Sequence, residues 1–235
     1  RIAILMSINS PWSNEIVLRF CEQGHEIHVL NMDVSKRTEG YLTNKPAFRQ
    51  ARIESLNKQP YIYDIPSYTE SNFDYVINSI IIRSIMQKNG IEILLSLYGG
   101  GYAMMACVSG FRPYVIYVVG SDILFSRGLK SIINRFTHKA ADRIFANGIF
   151  LGDRTRELVH KDVETLYLGV DTERVAPITE RRDGIIILCT RGFLPVYNNE
   201  YLIHALALLP EDVPYTEVVF SSTGPELDNI KSLAD

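Results

Sequence analysis

The chain has 235 residues, 46% of them hydrophobic, with three cysteines and a net charge of −3. That length is long for one domain and short for two full ones, and the charge balance carries no global bias toward nucleic acid. Cys21, Cys107 and Cys189 lie far apart, with no CxxC and no paired-histidine spacing. They read as small buried apolar groups in a reducing compartment, not as a disulfide framework or a metal site.

Ile2–Met6 reads as a buried strand, too short for a signal peptide or a membrane span. The chain starts without Met and stops at Asp235 part-way through a pattern, so a fragment is expected. Ser10 suits an N-cap and Pro11 the first helical position. Ile16, Val17, Phe20 and Cys21 give the helical stripe that follows, and Gly24 is placed to end it in a left-handed conformation. Ile27–Asn31 closes a βαβ unit, with Glu26 and His28 alternating against Ile27 and Val29. His25 and His28 fall on opposite faces of a strand, which disfavours a metal pair.

Between Lys36 and Lys58 six basic residues (Lys36, Arg37, Lys45, Arg49, Arg52, Lys58) face two acidic ones (Glu39, Glu54). The segment is either a solvated face or a surface for an anionic membrane or substrate. Tyr61–Ile65 reads as a short strand ended by Pro66. Asn72 suits the cap of a long helix with Phe73, Val76, Ile77, Ile80, Ile81, Ile85 and Met86 on its apolar face. Ile93–Leu97 is a strand, followed by Gly99-Gly100-Gly101-Tyr102 and a small-residue helix.

Tyr114–Val119 is a continuous β-branched and aromatic run of the kind buried on both faces of a parallel sheet, ending in Gly120-Ser121-Asp122. Ligands of open α/β sheets sit outside the carboxyl ends of the strands, so this turn is either part of a binding edge or a strand-to-helix turn capped by Ser121 or Asp122. A helix near Gly128–Ala141 is expected to turn Leu129, Ile132, Ile133 and Phe136 inward. Arg127, Lys130, Arg135, His138 and Lys139 make it basic, and His138, His160 and His204 read as solvated. Arg143–Ala146 and Val163–Leu168 are strands flanking a helix at Gly152–His160, and Gly169-Val170-Asp171 is a turn.

Thr172–Gly184 has the composition of a linker. A new pattern follows: strand Ile185–Cys189, helix Asn199–Leu209, strand Thr216–Phe220, and Gly224-Pro225 before a last helix. The organisation read is α/β with two Rossmann-like doubly wound domains: residues 1–171, a linker at 172–184, and the opening of a second domain at 185–235.

Absence of GxGxxG argues against a dinucleotide-dependent oxidoreductase, and neither GxxxxGK[ST] nor GxSxG is present. Three strand ends carry glycine, at Gly99–Gly101, Gly120 and Gly224, where backbone N–H groups can approach a phosphate. Arg191, just beyond the strand Ile185–Cys189, is either a bidentate diphosphate ligand or a surface ion-pairing arginine. Asp122 and Asp171 suit a base, a contact to sugar hydroxyls, or turn and capping roles. Trp12, Tyr98 and Tyr102 suit stacking or packing.

Taken in order, several segments resemble the family 4 glycosyltransferases, retaining enzymes of the two-domain GT-B fold. They are Gly24-His25-Glu26-Ile27, Ile116–Asp122, Ala141-Asp142-Arg143-Ile144, Leu168-Gly169-Val170-Asp171, Arg191, Tyr201–Leu206 and Ser221–Leu227. Gly-Ser-Asp and Pro195-Val196-Tyr197-Asn198 resemble the bacterial surface-polysaccharide branch. The chain departs from the family at three places. Val119 stands where a histidine often contacts the donor sugar. Tyr197 stands at the lysine of the Arg–Lys diphosphate clamp. The Glu-x7-Glu motif would lie beyond Asp235.

The resemblance implies sugar transfer from a nucleotide-sugar co-substrate to a saccharide or lipid-linked acceptor, with no required metal or other cofactor. It implies a cytoplasmic protein, with peripheral membrane contact open and no nucleic-acid partner. It assigns Gly101, Tyr102, Gly120, Ser121 and Asp122 to the acceptor side, and Arg191, Tyr197 and Gly224 to the donor side. It names no catalytic residue. Two rival readings remain: a non-catalytic scaffold of the same fold, and a GT-B-fold sugar-nucleotide epimerase.

Overall fold

The computed structural model describes residues 1–8, 10–32, 59–66, 68, 73–170, 172, 185–210 and 215–234. The basic segment 36–58, the Asn72 cap, Asp171 and the linker beyond Thr172 lie outside the described residues. The described residues through Gly169 form one compact unit, and those from Val170 onward form a second.

In the first unit seven strands make a sheet in the order β3-β2-β1-β4-β5-β6-β7, every pair parallel. They are β1 (Ile2–Met6), β2 (Ile27–Met32), β3 (Tyr61–Ile65), β4 (Ile93–Ser96), β5 (Tyr114–Val118), β6 (Arg143–Ala146) and β7 (Glu164–Thr165). The helices are α1 (Pro11–Glu22), α2 (Phe73–Lys88), α3 (Gly101–Val108), the short α4 (Ser121–Leu124), α5 (Leu129–Ala140) and α6 (Ile149–Val159). Side chains alternate across a strand, so each central strand serves two cores. Ile4, Met6, Ile27 and Val29 meet Val17 and Cys21 of α1 on one face. Ala3, Leu5, Leu30 and Leu94 meet Ile82, Met86, Met105 and Ala106 on the other. β5 is buried throughout. Its tyrosine hydroxyls reach backbone carbonyls, Tyr114 that of Thr137 at 2.6 Å and Tyr117 that of Leu166 at 2.7 Å, as buried phenols require.

The second unit pairs β8 (Ile185–Cys189) with β9 (Tyr215–Phe220) in parallel. It adds a 3-10 turn at Pro195–Tyr197, α7 (Asn199–Ala207) and α8 (Leu227–Ala234).

Several expectations are corrected. α5 is turned about its axis: Leu129, Ile132 and Phe136 are 67–71% exposed, while Asn134, Thr137 and His138 face inward. His138 is therefore fully buried, not solvated, whereas His160 and His204 are exposed. Sequence periodicity gives the angle between apolar and polar faces but not which one meets the protein; here the polar face has hydrogen-bond partners to meet. In α2, Phe73 and Ile80 are exposed while Asp74, Asn78 and Ser79 are buried, because a helix apolar almost all round leaves its orientation to its neighbours. Asn78 Nδ2 reaches the Pro66 carbonyl at 2.7 Å.

His28 is also buried, between the Tyr63 hydroxyl at 3.2 Å and Glu26 at 3.1 Å, and it stacks on Tyr61. β2 lies inside the sheet between β1 and β3, and all six of its residues are buried. Ser10 occupies the N-cap of α1, yet its hydroxyl makes no cap bond. β7 is shorter than the strand expected over Val163–Leu168.

Candidate functional site

The chain winds outward from β1 through β2 to β3, then returns to the far side of β1 with β4. The direction reverses between β1 and β4, which makes their carboxyl ends the topological switch point of the sheet, with β5 next along. Gly99–Gly101 follows β4 and Gly120-Ser121-Asp122 follows β5, so the two glycine turns lie side by side at this edge.

Asp122 fastens them together. One carboxylate oxygen accepts the Gly99 N–H at 2.6 Å and the Val119 N–H at 3.3 Å, and the other accepts the Gly120 N–H at 2.8 Å. The side chain is fully buried. Asp122 therefore does not offer its carboxylate as an exposed wall: it accepts from backbone donors that join the two turns, while the N-cap of α4 is Gly120, not Ser121 or Asp122 as expected from the sequence. Gly120 takes φ +142°, a conformation that L side chains rarely adopt. A Cβ on Gly99 would stand 2.7 Å from His138 Nε2, 2.8 Å from Asp122 Oδ2 and 2.8 Å from Val118 Cγ1. Only glycine fits there.

Around this staple the exposed chemistry belongs to Ser121, whose hydroxyl pairs with that of Tyr98 at 3.2 Å. Burial raises the Tyr98 pKa against the lowering effect of the Ser121 hydrogen bond, so the phenol stays protonated. Tyr98 meets Tyr102 edge to face. Tyr102 is itself buried, with its hydroxyl on the Met32 carbonyl at 3.1 Å, and serves as packing behind the edge. Gly101 opens α3 beneath the ring of Tyr75, which a Cβ would meet at 2.1 Å.

One residue of α5 missed in the sequence, Asn134, completes the turn, and His138, expected in solvent, is buried beside it. Asn134 Nδ2 donates to the Asp122 carbonyl at 2.8 Å and to Ser126 Oγ at 3.1 Å. His138 Nδ1 lies 2.7 Å from the Asn134 carbonyl, so Nδ1–H donates and Nε2 carries the lone pair. Nε2 has no hydrogen-bond partner among the described residues. Burial lowers the imidazole pKa, against the raising effects of the Asn134 carbonyl and the Asp122 charge. The available signal was the i, i+4 spacing of Asn134 and His138 opposite the apolar stripe.

In the second unit the residues expected on the donor side gather at the carboxyl ends of β8 and β9. The Arg191 guanidinium lies 5.3 Å from the centre of the Tyr197 ring, and both side chains are exposed. Tyr197, which stands at the expected lysine position, thus packs against the arginine without adding a charge. Gly224 approaches backbone closely: a Cβ there would lie 2.5 Å from the Phe193 carbonyl oxygen. Phe193 N–H donates to the Thr223 carbonyl, Glu226 N–H donates to the Phe193 carbonyl, and the Phe193 ring packs on Phe220. The small side chain at Gly224 is thereby explained by folding. Asn199, also missed, is buried and donates to the Gly192 carbonyl at 2.9 Å, fixing the segment that carries Arg191. Among the described residues no cluster of three or more His, Cys, Asp or Glu is arranged to hold a metal ion.

Comparison with known proteins agrees with this architecture. The chain is similar to a glycosyltransferase from Rickettsia africae (TM-score 0.66, 11% identity, covering 99% of this chain and 64% of that one). It is also similar to Anabaena HepE in complex with UDP and glucose (TM-score 0.63, 14% identity, 99% and 64%). The UDP-GlcNAc 2-epimerase of Methanocaldococcus jannaschii shares the fold too (TM-score 0.57, 13% identity, 99% and 68%). The expected α/β fold of Rossmann-like GT-B type is the one shared with these structures. The chain spans 62–64% of the length of the first structures it matches. No curated protein sequence matches it. A family model described as glycosyl transferase 4-like matches residues 1–150, and the chain belongs to that family.

Proposed function

We propose that the whole protein transfers a sugar from a nucleotide-sugar to a saccharide or lipid-linked acceptor, with retention and without a required metal, in bacterial surface-glycan synthesis. The observation that carries this reading is Arg191: an exposed guanidinium at the carboxyl edge of parallel strands, stacked on Tyr197 and without an ion-pair partner among the described residues. In the transfer the bond from the anomeric carbon to the diphosphate oxygen breaks, a bond to an acceptor hydroxyl oxygen forms, and that hydroxyl's proton passes to the departing diphosphate. The nucleoside diphosphate leaves with the negative charge. A fixed arginine fork stabilises that charge as it develops. On the other unit, Ser121 and Tyr98 offer hydroxyls suited to sugar hydroxyls, on a turn held rigid by Asp122. A cytoplasmic setting belongs to the same proposal; among the described residues no helix is long and apolar enough to cross a membrane.

Calorimetric titration of the whole protein with UDP-, GDP- and ADP-sugars tests it. One nucleotide-sugar is expected to bind in the micromolar range. Arg191→Ala should weaken that binding roughly tenfold or more, with unfolding stability unchanged within about 0.5 kcal/mol. Absence of binding to all three would leave the scaffold reading. The epimerase reading draws on the fold shared with the 2-epimerase, and interconversion of a free UDP-sugar without acceptor would favour it.

A further inference from the structure

α5 presents its apolar side outward. Leu129, Ile132 and Phe136 recur at helical spacing and are 71%, 67% and 70% exposed, and Phe125 in the preceding turn is 60% exposed. An amphipathic helix that buries Asn134, Thr137 and His138 and shows this stripe to water leaves apolar surface for something else to cover.

The charges around the stripe say what. Arg127, Lys130, Arg135 and Lys139 are all exposed, and from Ile123 to Ala141 there is no Asp or Glu, in a chain whose net charge is −3. At 100° per residue, Arg135 and Lys139 flank Ile132 and Phe136 on one side and Lys130 flanks Leu129 on the other. A second copy packed face to face about a two-fold axis would set these cations against one another. An anionic lipid surface meets both features in one plane: phosphates take the cations, and the acyl boundary takes the apolar stripe.

We propose that α5 docks the protein on an anionic membrane surface, lying in the interfacial plane. The docking does not depend on the sugar-transfer reading. It does bear on the site, because the inner face of α5 supplies the Asn134 that holds the Asp122 carbonyl. A helix at the lipid surface thereby braces the turn proposed to meet the acceptor.

The test is co-sedimentation of the full chain with vesicles of phosphatidylcholine alone and of equimolar phosphatidylcholine and phosphatidylglycerol. Two variants are compared: Leu129→Ser with Ile132→Ser and Phe136→Ser, and Arg135→Glu with Lys139→Glu. All five positions are exposed, and circular dichroism verifies the fold. The wild type is expected on the anionic vesicles, with binding about tenfold weaker or less in either variant and weak on phosphatidylcholine alone. No binding of the wild type to anionic vesicles would overturn the proposal, as would undiminished binding of both variants. A wild-type dimer that the triple serine variant dissolves would also overturn it and make the face an interface between copies.

Discussion

The two glycine-bearing strand edges use their polar groups in opposite ways. At the β4–β5 edge of the first unit, the Asp122 carboxylate is buried and taken up by three backbone N–H groups. At the β8–β9 edge of the second unit, the Arg191 guanidinium is exposed and lies over the Tyr197 ring. The first edge has spent its charge on shape, and the second keeps its charge for a partner. A conspicuous polar residue at a strand end is therefore not by itself a ligand contact. The test is whether the fold has already satisfied it.

Breaking the staple gives the largest expected effect. Asp122→Ala strands three donors, so the first unit should lose about 3–5 kcal/mol in urea unfolding, with Asp122→Asn losing less. A loss below about 1 kcal/mol would show that these three bonds do not hold the turn. Next comes Gly224→Ala, where the added Cβ meets the backbone of Phe193, which cannot rotate away. The expected cost is about 1–3 kcal/mol, read as earlier unfolding of the second unit. An unperturbed variant would free Gly224 for a purely ligand-facing role.

The smallest effect is on pH dependence. Burial lowers the His138 pKa in the folded protein, whereas the unfolded imidazole titrates near about 6.5. Just below that value the unfolded chain binds the extra proton. The stabilisation is complete above about pH 6.5 and is lost as pH falls through and below it. Unfolding midpoints from about pH 7.5 to about pH 5.5 should therefore decline, and His138→Gln should flatten that slope. An equal slope in the variant would assign the decline to other groups.

Much of the fold was legible because parallel α/β strands are short apolar runs punctuated by glycine, as at Ile2–Met6, Tyr114–Val118 and Ile185–Cys189. Helix orientation was not. The periodicity of Leu129, Ile132 and Phe136 is a true helical stripe, and it points outward because Asn134 has partners on the turn that Asp122 anchors, the Asp122 carbonyl and Ser126 Oγ. The site was legible in part for the same reason. Gly99, Gly120 and Arg191 announce strand ends, but the bonds of Asp122 join segments 23 residues apart in sequence.

By itself the sequence determined the order and kind of the elements, the glycine positions and the charge pattern of α5, since these rest on local sterics and periodicity. Only the tertiary structure decided that β1 and β4 adjoin, that Asp122 is a staple and that α5 turns its apolar side to solvent. Each of those depends on which distant groups are brought within hydrogen-bonding range, and no local pattern encodes that distance.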